Sequence, residues 1–179
     1  MRIVKTDPNT HLILAPFNPG WGGKLNGLPF VRIVNELANE MGISEKQITI
    51  LGELRHNEIE SVIAFSDIYL CSYPHGGATM TTLSLSYGVP TIVLKRSSTQ
   101  SIDQFIVESM GLSELVANTP SDYLAITKRL SNSKKIRQDL SMKIKIAYKD
   151  APFIANTKFS TKMQQAIEKE IISKFNLGM

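Results

Sequence analysis

Asp67-Ile68-Tyr69-Leu70-Cys71-Ser72-Tyr73-Pro74-His75-Gly76-Gly77-Ala78-Thr79-Met80-Thr81-Thr82-Leu83-Ser84-Leu85-Ser86-Tyr87-Gly88-Val89-Pro90 is the stretch on which the fold turns. Its first five residues form an apolar run with little alternation, which predicts a strand covered on both faces and ending near Ser72. Pro74, Gly76 and Gly77 predict a tight turn, and Thr79 to Tyr87 a helix stopped by Gly88 and Pro90. A strand, a glycine turn and a helix in that order make the repeating unit of a parallel α/β sheet. The turn then lies at the carboxyl end of its strand, where open α/β sheets bind ligands. Adjacent glycines let backbone approach a ligand and take positive φ. The first N–H groups of a helix lack intrahelical partners and carry the positive end of its dipole. The Thr79 hydroxyl adds a donor. Together these features suit a diphosphate. The turn is neither the dinucleotide G-x-G-x-x-G fingerprint nor a Walker loop, and alone it fits an ordinary βα connection equally well.

The pattern repeats outward from this unit. Apolar runs at His11–Phe17, Gln47–Leu51 and Pro90–Leu94, and a weaker one at Glu114–Ala117, predict further strands. Helical stripes lie between them: Phe30, Ile33, Val34, Leu37 and Met41, closed by Gly42 as C-cap; then Ile59, Val62, Ile63 and Phe65; then Ile102 to Met110. Thr119-Pro120-Ser121-Asp122 is a helix start with proline just inside, and Tyr123, Ile126 and Leu130 carry the apolar face. Two closing helices, about 133–147 and 157–174, are separated by Ala151-Pro152. The expected fold is a Rossmann-like three-layer α/β domain with a mostly parallel sheet, core 8–132 and C-terminal helices 133–176. Asn18 to Gly27, with four glycines, Pro19 and Trp21, predicts a surface loop in which Trp21 either anchors the loop or stacks on a ligand. Ile3-Val4-Lys5 looks like the end of a helix, so we expect the 179 residues to be one domain of a longer chain.

Bulk properties narrow the classes. A hydrophobic fraction of 42% and a charged fraction of 20% are globular values. Cys71 is the only cysteine, so an intrachain disulfide is excluded. No apolar run approaches the roughly 20 residues that span a bilayer. A cytoplasmic protein without membrane insertion is expected. The net charge of +4 is concentrated between Lys128 and Lys149. Ile136, Leu140, Ile144 and Ala147 recur there at helical spacing, so the lysines read as a solvated helix face rather than a nucleic-acid surface.

The series of motifs resembles the C-terminal catalytic lobe of O-GlcNAc transferases and bacterial adhesin N-glycosyltransferases, the second half of a GT-B glycosyltransferase. Ile48-Thr49-Ile50-Leu51-Gly52-Glu53-Leu54-Arg55-His56 and then Ser66-Asp67 resemble that family's strand, loop and next strand start. Gly88-Val89-Pro90-Thr91-Ile92-Val93 resembles its G-V-P-V-V strand. Ser101-Ile102-Asp103-Gln104 and Gly111-Leu112-Ser113-Glu114-Leu115-Val116-Ala117-Asn118-Thr119 resemble its H-I-D-E and G-L-x-E-x-I-A-N-T stretches. The likeness runs from about Pro8 to Leu140. It implies a UDP-sugar donor, such as UDP-GlcNAc or UDP-glucose, a protein or peptide acceptor, an inverting transfer and no cofactor or bound metal. It also implies that Gly77, Ala78, Thr79 and Met80 hold the diphosphate, that Leu54 and His56 frame the uracil, and that His75 and Gly76 belong to the same nucleotide-sugar cleft. The catalytic groups would sit on the other lobe. The sequence departs from the family at three places. Leu83 stands where an acid usually holds the ribose hydroxyls, and Ala78 where O-GlcNAc transferase has histidine. The phosphate-neutralising lysine would precede Met1. A non-catalytic binding or adaptor module and a polysaccharide glycosyltransferase are the alternatives.

The remaining polar residues have plainer readings. His11 reads as a structural strand-start residue, Cys71 as a small core residue and Glu108 as solvated. Asp103 and Glu108 are not aimed at one point and do not form a carboxylate pair.

Overall fold

The computed structural model describes residues 1–16, 27–96, 101–154 and 157–175. The predicted glycine loop, Trp21 included, lies outside them except for Gly27. The elements alternate: α1 (Arg2–Thr6), β1 (Leu12–Leu14), α2 (Leu28–Met41), β2 (Ile48–Ile50), α3 (His56–Phe65), β3 (Tyr69–Leu70), α4 (Ala78–Ser86), β4 (Thr91–Leu94), α5 (Ile102–Ser109), β5 (Val116–Ala117), α6 (Pro120–Ser131), α7 (Lys134–Lys149) and α8 (Thr157–Phe175). The described strands pair in parallel. β1 lies beside β2, with Leu12 opposite Ile48. β4 lies between β3 and β5, with Tyr69 opposite Thr91 and Val93 opposite Val116. This is a Rossmann-like three-layer α/β domain.

The core is built around β4. Ile92 and Val93 are buried, and Leu85 of α4, Ile106 and Val107 of α5, Leu130 of α6 and Ile144 of α7 close over them. A run of apolar residues without alternation is what such a two-faced strand requires. α7 turns Leu140 and Ile144 inward and keeps its lysines at the surface, as its period predicts. Cys71 is buried in the same core. Gly42 caps α2 at φ 64°, a left-handed conformation that glycine adopts without a Cβ clash.

Two expectations change. β1, β2 and β3 are half-buried rather than covered on both faces. The buried face of α2 is Val34 and Ala38, while Phe30, Ile33 and Leu37 are exposed by 42%, 50% and 40%. Two three-residue strands offer too little surface for a stripe as wide as the sequence pattern, so only its narrow middle is covered. A small second cluster of Val4, Ala38 and Ile43 fills that contact.

Candidate functional site

Parallel pairing puts the carboxyl ends of β3, β4 and β5 on one edge, so α4, α5 and α6 all begin there. Two of these helix starts are closed by side chains. Ser101 Oγ accepts from the Gln104 amide at the start of α5 (3.1 Å). Thr119 and Asp122 exchange bonds in a capping box on α6 (3.1 and 3.0 Å). α4 differs. Its N-cap is Gly77, and no side chain among the described residues caps it. The first bond of its ladder runs from the Thr81 amide to the Gly77 carbonyl (2.8 Å), which leaves the amides of Ala78, Thr79 and Met80 as the donors a helix cannot satisfy internally.

Beneath the turn lies a buried polar floor. Thr81 Oγ1 donates to Asp103 Oδ1 at 2.7 Å, and both residues are buried. A Cβ at Gly76 would overlap the Asp103 carboxylate. The Cys71 Sγ lies 3.7 Å from Thr81 Oγ1 and within reach of the Gly77 amide. Tyr123 donates from its hydroxyl to the Cys71 carbonyl (3.1 Å). Burial pushes the Cys71 thiol and the Tyr69 and Tyr123 hydroxyls above their ordinary values, and their mutual proximity pushes the same way for the two tyrosines. The thiol and the two phenols of the floor therefore keep their protons at neutral pH.

Along another flank of α4 runs an open groove of about 440 Å³. Ala78, Thr79, Thr82, Leu83 and Ser86 form its α4 wall, one stripe of the helix at three- and four-residue spacing. His56 at the start of α3 and Tyr148 near the end of α7 complete it. Of the residues singled out from the sequence, Ala78, Thr79 and His56 meet here. His56 is 82% exposed and 3.4 Å from Glu60. Gly77 caps the helix at one end. Met80 turns back toward Gly77, where a Cβ would lie 3.5 Å from its own. Leu54 is half-buried on the connection before α3, and His75 is exposed in the turn, its carbonyl accepting from Ser72 Oγ (2.8 Å). Neither of these lines the groove. No lysine or arginine among the described residues lines it either. An anion there would rely on amides, a hydroxyl and the helix dipole.

The glycines depart from expectation. Positive φ occurs at Gly42, Gly88 and Gly111, and not at Gly76 or Gly77; Gly77 has φ −123°. The steric demand is at Gly76, which has a carboxylate beneath it. Glu108 is half-buried and accepts from Gln104 Nε2 (3.0 Å), so it is not simply solvated. His11 serves structure, its Nε2 lying 2.7 Å from Thr49 Oγ1 on the neighbouring strand. The sequence reading missed Asp103, Thr82, Ser86 and Tyr148. Helical spacing from Thr79 reaches Thr82 and Ser86, but nothing local ties Asp103 or Tyr148 to this turn.

A second groove, about 320 Å³, runs between α1 and α6 beside Arg2, Lys5 and Lys128. It lies apart from the turn. No trio of metal-ligating side chains occurs among the described residues, and no helix there is long and apolar enough to cross a membrane.

Comparison with known proteins adds a relationship. No family model matches the chain. A SPINDLY protein of Oryza sativa subsp. japonica, described as a probable UDP-N-acetylglucosamine–peptide N-acetylglucosaminyltransferase, is 24% identical over 130 residues, covering 71% of this chain and 14% of its own length. Its Arabidopsis thaliana counterpart of the same description matches to the same extent. An O-GlcNAc transferase mutant from Thermobaculum terrenum shares the fold with a TM-score of 0.76 at 17% identity, over 94% of this chain and 31% of that one. The chain spans only 14% of those curated relatives. It is similar in sequence to O-GlcNAc transferase-like glycosyltransferases and shares their α/β fold.

Proposed function

We propose that this chain is the donor-binding lobe of an inverting GT-B glycosyltransferase that glycosylates protein, and that the start of α4 grips the diphosphate of a UDP-sugar. One observation carries the reading. α4 is the helix start at this sheet edge left without a side-chain cap, and it opens onto a groove. The amides of Ala78, Thr79 and Met80 and the Thr79 hydroxyl would take the phosphate oxygens. His56, with Leu54 before it, would face the uracil. In an inverting transfer the acceptor attacks the anomeric carbon as the bond to UDP breaks. This lobe's share would be to stabilise the charge gathering on the leaving diphosphate. UDP-GlcNAc is the donor in the relatives' description, with UDP-glucose as second choice.

The expected affinity is low. A few hydrogen bonds at about 1 kcal/mol each, with a dipole term of similar size, add up to a dissociation constant on the order of 1 mM. UDP added to the isotope-labelled chain should shift the amide resonances of Gly77 to Thr82. Thr79→Ala should weaken binding by about fivefold. Unmoved resonances in that segment at about 10 mM UDP would sink the reading.

A second reading, a non-catalytic binding module, is favoured by Leu83. It lies in the groove wall where an acid would be needed to hold ribose hydroxyls. Leu83→Asp separates the two. Tighter UDP binding marks a donor site that has lost its ribose grip, whereas no change favours the binding module.

A further inference from the structure

We infer that Asp103 and Thr81 form a strut that holds the Gly76–Thr79 turn in its ligand-ready shape, which makes Asp103 a positioning residue of the donor site; this rests on the reading above. Asp103 is 4% exposed and Thr81 fully buried. A buried carboxylate is costly unless specific partners compensate it. Here the partners are few, the Thr81 hydroxyl and the Cys71 thiol, one on each side of the turn. Oδ1 accepts the Thr81 hydroxyl in the first turns of α4, and the other side of the carboxylate lies directly under Gly76. Asp103 itself stands in the first turn of α5, where the positive end of that helix favours its charge. The hydrogen bond therefore ties the start of α4 to the start of α5, the two helices that leave neighbouring strands β3 and β4.

The Cys71 Sγ beside the Gly77 amide, and Tyr123 holding the Cys71 carbonyl, fix the strand end from which the turn departs. Ser72 to Gly76 is otherwise an exposed segment. Freezing such a segment beforehand removes the ordering cost from the binding step, and the amides need little rearrangement when charge arrives. A pair that merely filled space would do as well as valine over leucine.

That contrast sets the test, run on the 179-residue chain with UDP as the probe. Thr81→Val keeps the shape and deletes the donor; Thr81→Ser keeps the donor. The valine variant should move the amide resonances of Gly76 to Thr79, speed their hydrogen exchange and weaken UDP binding about tenfold. The serine variant should restore both. A valine variant whose turn amides match wild type overturns the strut, whatever UDP does. Wild-type amides indifferent to UDP, beside a loosened turn in the valine variant, sink the donor reading and leave the strut standing. Should the valine variant not fold, Asp103→Asn gives a second measurement. It keeps an acceptor for Thr81 and alters the face under Gly76, so its Gly76 amide should move while the melting transition stays cooperative. An unmoved Gly76 amide overturns the inference.

Discussion

Gly76 and Gly77 are neighbours in the chain and opposites in the fold. A Cβ on Gly77 would make an ordinary 3.5 Å contact with Met80, at a φ any residue adopts, whereas one on Gly76 would strike the Asp103 carboxylate. Gly76→Ala should therefore force the turn off its floor at about 1–3 kcal/mol, lowering the melting temperature by roughly 5 °C. Gly77→Ala should stay within about a degree, because alanine also restricts the unfolded chain. Calorimetry on both variants checks this, and equal melting would contradict it. The sequence displays both glycines and gives no sign of which is sterically required. That information sits in Asp103, in another helix.

At the scale of elements, the floor under α4 has a pH signature. Tyr69, Cys71 and Tyr123 hold their protons more tightly in the fold than in the unfolded chain, where thiol and phenol titrate near 9.0 and 10.0. The sign follows directly. Raised folded values mean that this stability is complete below the unfolded values and is lost progressively as pH climbs from them toward the raised folded ones. Urea midpoints should fall between about pH 9 and 11. Tyr123→Phe should lower the neutral-pH midpoint, by about 1 kcal/mol for the lost bond to the Cys71 carbonyl, and flatten the alkaline fall. Parallel slopes in the two proteins would rule out the tyrosine's share. The elements themselves were legible from period and punctuation: β4 as an unbroken apolar run, α6 from Thr119-Pro120, α2 from its Gly42 stop. The width of the buried face on α2 was not, since it depends on how much strand lies beneath it.

Across the whole molecule, stability is unevenly placed. The main core joins β4 to α4, α5, α6 and α7. The described side chains of α8, from Ser160 onward, are exposed, Met163, Ile167 and Ile171 among them. Ending the chain after Ile154 should thus change the melting temperature by less than about 2 °C. A loss of many degrees would mean that α8 packs on the core in solution.

Taken by itself, the sequence determined the alternation of strands and helices, the parallel α/β class, the glycine turn at the end of β3 and the helix that starts after it. Each is written in local period and local turn chemistry, which neighbouring residues carry. Only the tertiary structure decided that Asp103 lies under Gly76, that Tyr148 and His56 face Thr79 across a groove, and that α2 leaves half its stripe uncovered. Those relations join residues as many as 92 positions apart, from His56 to Tyr148. Packing brings them together, and no short-range preference of the chain encodes it.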